Sequence, residues 1–276
     1  MSDVPFRKKL RIYLGDIVHN RKKLGPRSNG GIRALVYHSI TDGLIKREWE
    51  ENTTPKDLFA RHMKYLADNK YNVISCKEAV EHLTKNRAIP PRAVVITFDD
   101  GYRDNYINAA PLLEKYNFHA TIFLTTDFLR DYSGDKQYLS LSEIKDMQKC
   151  RLVDFGCHGL THKALTMLGE KGLHKEIKVA KQKLEDALGK KMFLFAYPFG
   201  HSGSYNKKVI NSLKEAGFVG AYTSIFGLNH PKINPFLLRR NRVSWLDELR
   251  EFEKHLTGAY DWCALCEFFR RKRYRH

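Results

Sequence analysis

Two adjacent carboxylates, Asp99 and Asp100, close the run Ala93-Val94-Val95-Ile96-Thr97-Phe98 and are followed at once by Gly101. A short β-branched run reads as a buried strand, and a glycine permits a sharp turn where it stops. Two neighbouring acids buried without partners would cost roughly several kcal/mol, so a cation or a chemical role must account for them. Further along, His158 and His162 stand four residues apart in Phe155-Gly156-Cys157-His158-Gly159-Leu160-Thr161-His162. On one helical turn that spacing points both imidazoles the same way. Two His and one Asp make three ligands with a fourth position left for water, the composition of a catalytic zinc site rather than a structural one. An isolated His pair is more often two ordinary side chains; beside the paired acids it gains weight.

TFDDG at 97–101 and the HxxxH at 158–162 resemble the first two motifs of the polysaccharide deacetylases, the NodB-homology or carbohydrate esterase family 4 enzymes. The resemblance runs from about residue 33 to residue 245. It implies that Asp99 is a general base and that Asp100, His158 and His162 hold a divalent metal, most often zinc. Phe195-Ala196-Tyr197-Pro198-Phe199-Gly200 resembles the third motif, which implies a substrate-facing turn at Tyr197 and Phe199 with a backbone N–H near Phe199 for the oxyanion. Many members carry an Arg where this chain has Ala196, and that Arg orients the base; Arg240, in Leu238-Arg239-Arg240-Asn241-Arg242-Val243, is the candidate substitute. Tyr37-His38 resembles the YH segment of the permuted branch that includes poly-N-acetylglucosamine deacetylases, which implies His38 as general acid. The plainer reading of His38 is a strand-end side chain making a structural hydrogen bond.

The elements that must position these groups are legible as a pattern. Apolar runs recur at 34–37, 93–98, 120–125, 152–155, 193–197 and 218–223. Between them, Thr54-Pro55 predicts a capped helix start before the stripe Leu58, Phe59, Met63, Leu66. Leu173, Ile177, Ala180, Leu184 and Leu188 recur at helical spacing up to Gly189, and a third helix runs from near Asn206 to Ala216. Alternating strands and helices predict an α/β fold with a parallel sheet. The family resemblance narrows this to a distorted (β/α) barrel with fewer than eight strands, with the motifs at strand ends where barrel sites assemble. The expected organisation is a basic amphipathic segment at 1–30, a catalytic domain at 31–245 and a helical basic segment at 246–276. No Pro/Gly/Ser-rich linker divides the chain.

Of the formal net charge of +17, residues 1–33 carry +7 and residues 270–276 carry +5. Phe6, Leu10, Tyr13, Leu14 and Ile17 fall near one helical face among Lys and Arg, and Trp262, Leu265, Phe268 and Phe269 precede Arg270-Arg271-Lys272-Arg273. Basic amphipathic ends of this kind suit an anionic membrane surface, at about 1 kcal/mol per basic residue held near it. The alternative is a solvated face whose aromatic positions pack on the barrel. Nucleic acid is excluded as a partner because no groove-reading or stacking motif accompanies the charge. No secretory signal and no apolar run of the roughly 20 residues needed to span a bilayer is visible. Five cysteines in no disulfide-scaffold spacing, with one lone CxxC at Cys263 and Cys266, suit reduced thiols, so a cytoplasmic, peripheral location is expected. Gly200-His201-Ser202-Gly203-Ser204 lacks the last glycine of a serine-hydrolase elbow and reads as a substrate-facing loop. The expected activity is a zinc-dependent N-deacetylase acting on a lipid-linked N-acetylhexosamine. The alternatives are a deacetylase of an amino-sugar polymer and a carbohydrate-binding relative without catalysis.

Overall fold

A computed structural model describes residues 6–23, 30–43, 52–85 and 87–265, with side chains of the first segment from residue 10 to residue 20. The strands are β1 (Ile32–Tyr37), β2 (Ser39–Thr41), β3 (Thr53–Pro55), β4 (Asn72–Val73), β5 (Ala93–Phe98), β6 (Ala120–Leu124), β7 (Val153–Cys157), β8 (Leu194–Ala196), β9 (Gly220–Tyr222), β10 (Leu228–Asn229) and β11 (Asn241–Arg242). Their main sheet runs β10-β1-β5-β6-β7-β8-β9, with β4 added at β5 and β11 at β1. Neighbours pair in parallel except at β1–β10. The separate pair β2–β3 takes Thr53–Pro55. Thr54 therefore lies in a strand and does not cap the next helix, contrary to the sequence expectation.

Residues 238–243 draw the two sides of the sheet together. Leu238 bridges to Tyr222 on β9, whereas Asn241 and Arg242 register with Leu35 and Val36 on β1. The Val243 N–H then donates to the Val36 carbonyl at 3.0 Å. This segment staples the last parallel strand to the first, giving the distorted barrel of fewer than eight strands that the sequence predicts. Alternation along strands sorts side chains to the two faces. Ile32, Ala34, Ala93, Val95, Phe123, Leu194, Ala196 and Tyr222 fill the inside together with Cys76, Ala79, Val80 and Leu83. Val94, Ile96, Phe98, Ile122, Leu124 and Phe195 join the larger cluster beneath the surrounding helices.

Those helices are α1 (Phe6–Lys23), α2 (Lys56–Asp68), α3 (Cys76–Thr84), α4 (Ala110–Tyr116), α5 (Arg130–Ser133), α6 (Leu141–Met147), α7 (Glu170–His174), α8 (Ala180–Leu188), α9 (Lys207–Glu215) and α10 (Leu249–Thr257). The stripe Leu58, Phe59, Met63 and Leu66 of α2 is buried as its spacing demands. The second predicted helix forms as α7 and α8 joined by a π-helical turn at Lys175–Val179, and it ends on Gly189 at φ +64°. Asn206 caps α9 by accepting from the Val209 N–H.

α1 packs on α10 through its polar face. Arg11 pairs with the buried Asp247 at 3.0 Å, and Asp16 reaches the fully buried Lys254 at 2.8 Å and Arg250 at 2.7 Å. His19 meets the Thr257 hydroxyl at 3.1 Å. Gly15 allows this approach, since a Cβ there would lie 2.4 Å from the Tyr260 ring. Three of the five predicted apolar positions turn outward, with Leu10, Tyr13 and Ile17 43%, 64% and 39% exposed; Leu14 is half-buried, and the side chain of Phe6 lies outside the described residues. Phe268, Phe269 and the basic run at 270–273 lie outside the described residues.

Beneath the site, His62 stacks on Phe252 at 4.0 Å, and its nitrogens meet the Tyr37 hydroxyl at 3.1 Å and the Asp247 carbonyl at 2.7 Å. Burial pushes its pKa down to about 3. The unfolded chain takes up this proton near pH 6.5 and the folded chain only near 3, so stability present above pH 6.5 is lost as pH falls through that window. His62 alone should remove about 2–3 kcal/mol between pH 7 and pH 4.5. Urea midpoints at the two pH values measure this, and His62→Gln should flatten the dependence; an equally steep loss in that variant would contradict the assignment.

Candidate active site and metal centre

Register delivers the chemistry to one end of the barrel. Tyr37 pairs with Phe98, and the Asp99 N–H donates to the Tyr37 carbonyl at 3.0 Å, so His38 and Asp99 leave neighbouring strand ends together. Leu124 pairs with Cys157, and the His158 N–H donates to the Leu124 carbonyl at 2.8 Å. Cys157 faces the opposite way, into the larger hydrophobic cluster, and burial pushes its thiol to about 12.

Asp99 has the partner that Ala196 leaves missing. Arg240 is fully buried on the closing segment and grips the carboxylate with both terminal nitrogens, Nη1 to Oδ1 at 2.7 Å and Nη2 to Oδ2 at 2.8 Å. Its Nε donates to the Thr223 carbonyl at 2.9 Å and Nη1 also to Thr97 Oγ1 at 3.2 Å. Phe123 and Tyr222 lie 5.5 and 5.9 Å from the guanidinium carbon. Gly156 keeps that space open for Phe123, because a Cβ there would meet the ring at 2.5 Å. Burial would raise the Asp99 carboxyl, yet the Arg240 charge, with His158, outweighs it and holds the group well below the usual carboxylate range. The fork geometry fixes its orientation as well as its charge.

Asp100, His158 and His162 supply three ligand atoms that all lie within 4.8 Å of one another. His158 Nε2 and His162 Nε2 are each 3.6 Å from Asp100 Oδ1. Their convergence comes from a loop, however, and not from a helical turn. Gly159 and His162 adopt φ +91° and +57°, which swings the second imidazole back toward the first. Asp100 and Phe199 are also left-handed, at +73° and +63°. Non-glycine residues held there store strain, and such residues concentrate at functional sites.

The donor set fits a divalent cation. Asp100 Oδ1 is buried without a hydrogen-bond partner among the described residues. Burial, then the neighbouring Asp99 charge, push its carboxyl up to about 7, the behaviour of an acid awaiting a positive partner. His158 Nδ1 meets the Ala196 carbonyl at 2.8 Å, which assigns the proton to Nδ1 and leaves the Nε2 lone pair facing Asp100. Burial lowers His158 to about 4 and lowers His162, keeping both imidazoles in the neutral form that metals require.

His38 leaves the end of β1 close enough to feel the charge of Asp99. Asn105 holds its backbone carbonyl at 2.7 Å, and its Nδ1 has no hydrogen-bond partner among the described residues. Enclosure lowers its pKa to about 3 despite the attraction of Asp99. Phe199 is 49% exposed and sets its ring 4.8 Å from His162. Tyr197 does not face substrate: strand alternation turns it outward, its N–H donates to the Tyr222 carbonyl, and its hydroxyl donates to the Phe236 carbonyl at 3.0 Å. It is a core residue beneath the site, which leaves Phe199 as the exposed aromatic residue of that turn. Sequence reasoning also missed Phe128 and Tyr138, which continue the ring row from His162 at 6.1 and 5.0 Å, and the buried Glu176 beneath the histidine loop. The apolar positions 173, 177, 180, 184 and 188 signalled a helix through Glu176, but nothing in that pattern marks the glutamate.

Known proteins share this chain's sequence and fold. Residues 86–221 match the family model described as polysaccharide deacetylase. A Bacillus subtilis (strain 168) relative, YxkH, whose name places it among the polysaccharide deacetylases, is 31% identical over 210 residues, 76% of this chain and 70% of its own length. The poly-β-1,6-N-acetyl-D-glucosamine N-deacetylase of Staphylococcus aureus (strain MSSA476) is 25% identical over 87% of this chain and 86% of its own. The fold matches that of the Streptococcus pyogenes deacetylase PplD, solved in complex with acetate, at a TM-score of 0.73 and 24% identity over 83% of this chain and 99% of that one. This chain belongs to the polysaccharide deacetylase family, hydrolases of carbon–nitrogen amide bonds.

Proposed function

We propose that the protein removes the acetyl group from an N-acetylhexosamine carried on a lipid-linked glycan precursor at the cytoplasmic face of the membrane. The observation that carries the reaction is the Arg240-clamped Asp99 beside the Asp100, His158 and His162 cluster. Asp100, His158 and His162 would hold a divalent metal, most readily zinc, which when bound supplies Lewis acidity to the attacking water and the acetamide carbonyl. Asp99 is ionised at every working pH and accepts the proton of that water as its oxygen bonds to the acetyl carbon. A backbone N–H near Phe199 would receive the oxyanion. His38 hands a proton to the departing nitrogen as the carbon–nitrogen bond breaks. Because burial keeps His38 neutral, that proton has to reach it within the turnover. Acetate and a free amino sugar result.

The outward face of α1 supports the membrane part. Leu10, Tyr13 and Ile17 are exposed beside a strongly basic stretch, and the opposite face already holds the helix to the body. Free thiols at Cys76, Cys150, Cys157 and Cys263 suit a reducing compartment. Deleting residues 1–30 would take Asp16 from the buried Lys254 and Arg11 from the buried Asp247, so Leu10→Ser/Tyr13→Ser/Ile17→Ser is the cleaner test. The triple variant should stop sedimenting with phosphatidylserine vesicles while acetate release from a small oligosaccharide continues. Sedimentation equal to that of the unmodified protein sinks the membrane reading.

A second reading, deacetylation of an amino-sugar polymer, is favoured by the name of the Staphylococcus aureus relative and by the ring row from Phe199 through His162 and Phe128 to Tyr138. Acetate release from polyprenyl-diphosphate-linked N-acetylglucosamine, compared with poly-N-acetylglucosamine oligomers, separates the two substrates.

A further inference from the structure

We infer that Glu176 is a positioning residue for the metal centre: its buried carboxylate is the mould around which the loop carrying His162 is shaped. Glu176 sits on the π-helical turn between α7 and α8 and is 3% exposed. Its Oε2 accepts from the backbone N–H groups of Leu160 and Thr161, both at 3.0 Å, and its Oε1 accepts from the Thr161 hydroxyl. Three donors from two consecutive residues thus converge on one side chain between His158 and His162.

The surroundings show why the loop needs such a mould. Gly159 lies against Glu176, where a Cβ would stand 3.1 Å from Oε2, and its φ of +91° closes the two N–H groups around the oxygen. On the far side, the Gly159 and Leu160 carbonyls accept from the Thr126 and Asp127 N–H groups at 3.1 and 2.9 Å. Residues 159–161 are therefore held from both flanks, and His162 is left at φ +57° with its Nε2 directed at Asp100. A buried carboxylate receiving charge-assisted bonds is a stiffer support than loop backbone alone. A π-turn in place of a regular helix sets the register of the helix face at this point.

The inference rests on reading Asp100, His158 and His162 as the metal ligands, and the test separates the two ideas. Zinc dissociation constants are measured by chelator competition on the full chain, alongside apoprotein urea midpoints. The unmodified protein should bind one zinc ion; failure to do so overturns the ligand assignment and this inference with it. Glu176→Gln removes the charge and leaves one acceptor oxygen, which cannot serve the N–H pair and the Thr161 hydroxyl donor together, and should weaken zinc binding roughly 10-fold, the lower end of the range for partners that orient ligands. Glu185→Gln is the control. That buried glutamate one helical stretch away accepts from the Met192 N–H at 2.8 Å and Lys191 at 3.1 Å but touches no part of the histidine loop. It should lower the urea midpoint and leave zinc affinity unchanged. If Glu176→Gln does not fold, Thr161→Val removes only the hydroxyl donor and should weaken zinc several-fold at near-native stability. Zinc affinity unchanged in the folded position-176 or 161 variant, or equally reduced in Glu185→Gln, overturns the proposal.

Discussion

Arg240→Met should unfold this protein far more readily than any surface change, by about 3–5 kcal/mol, because it strands the buried Asp99 carboxylate without its counter-charge. Both oxygens of Asp99 lean on that guanidinium, and Ala196 has nothing to offer in its place. The double variant Arg240→Met/Asp99→Asn removes the charge along with its partner and should recover much of the lost stability while remaining inactive. Urea denaturation of the two variants reads this directly, and acetate release reads the second half. The same argument has a sign for pH. Asp99 is held low in the folded state, so its contribution is present above about pH 4 and disappears as the solution is acidified below that value. Arg240→Lys, with one point charge for a two-pronged fork, should retain part of the stability and lose orientation. A stability of Arg240→Met within 1 kcal/mol or so of the unmodified protein would refute the role given to this pair.

Adjacent carboxylates with opposite duties should respond differently to the same substitution. Asp99→Asn should reduce turnover by roughly 10²- to 10⁴-fold, the usual share of a positioned base, with zinc affinity essentially kept. Asp100→Asn should instead lose zinc, because it takes away the only carboxylate among the three clustered ligands. Turnover and zinc stoichiometry measured together on both variants form the test. Equal loss of metal in the two, or residual turnover in Asp99→Asn matching the unmodified protein, would mean that the two duties have been assigned to the wrong side chains.

The parts of the site legible in the sequence were those with unusual residues in unusual company. Asp99 and Asp100 stood out because acids rarely close an apolar strand, and Arg240 became a candidate because Ala196 left a vacancy. The fold was legible because the apolar runs and helical stripes were clean. What escaped depended on direction or on contact across the chain. Tyr197 was expected to face substrate through its neighbourhood with Phe199, although alternation from Ala196 already turns it outward. The histidine pair was expected on a helix because four-residue spacing fits one, whereas Gly159 and His162 reach the same convergence through positive φ. Glu176 carries no local signal, since its partners at 160 and 161 precede it by a loop and a helix. The apolar face of α1 was read from spacing alone; burial instead favours the face bearing Arg11, Gly15 and His19, for which Asp247, Tyr260 and Thr257 provide complementary groups.

The stapling of the sheet by residues 238–243 has a practical meaning for dissection. His38 and Arg240 both fall outside 86–221, the stretch that the family model recognises. A fragment trimmed to those limits would keep Asp100, His158 and His162 and would still present an open-edged sheet with an unmatched acid at its heart. It should therefore aggregate or remain inert, and the smallest piece able to work must reach from before β1 to beyond Val243.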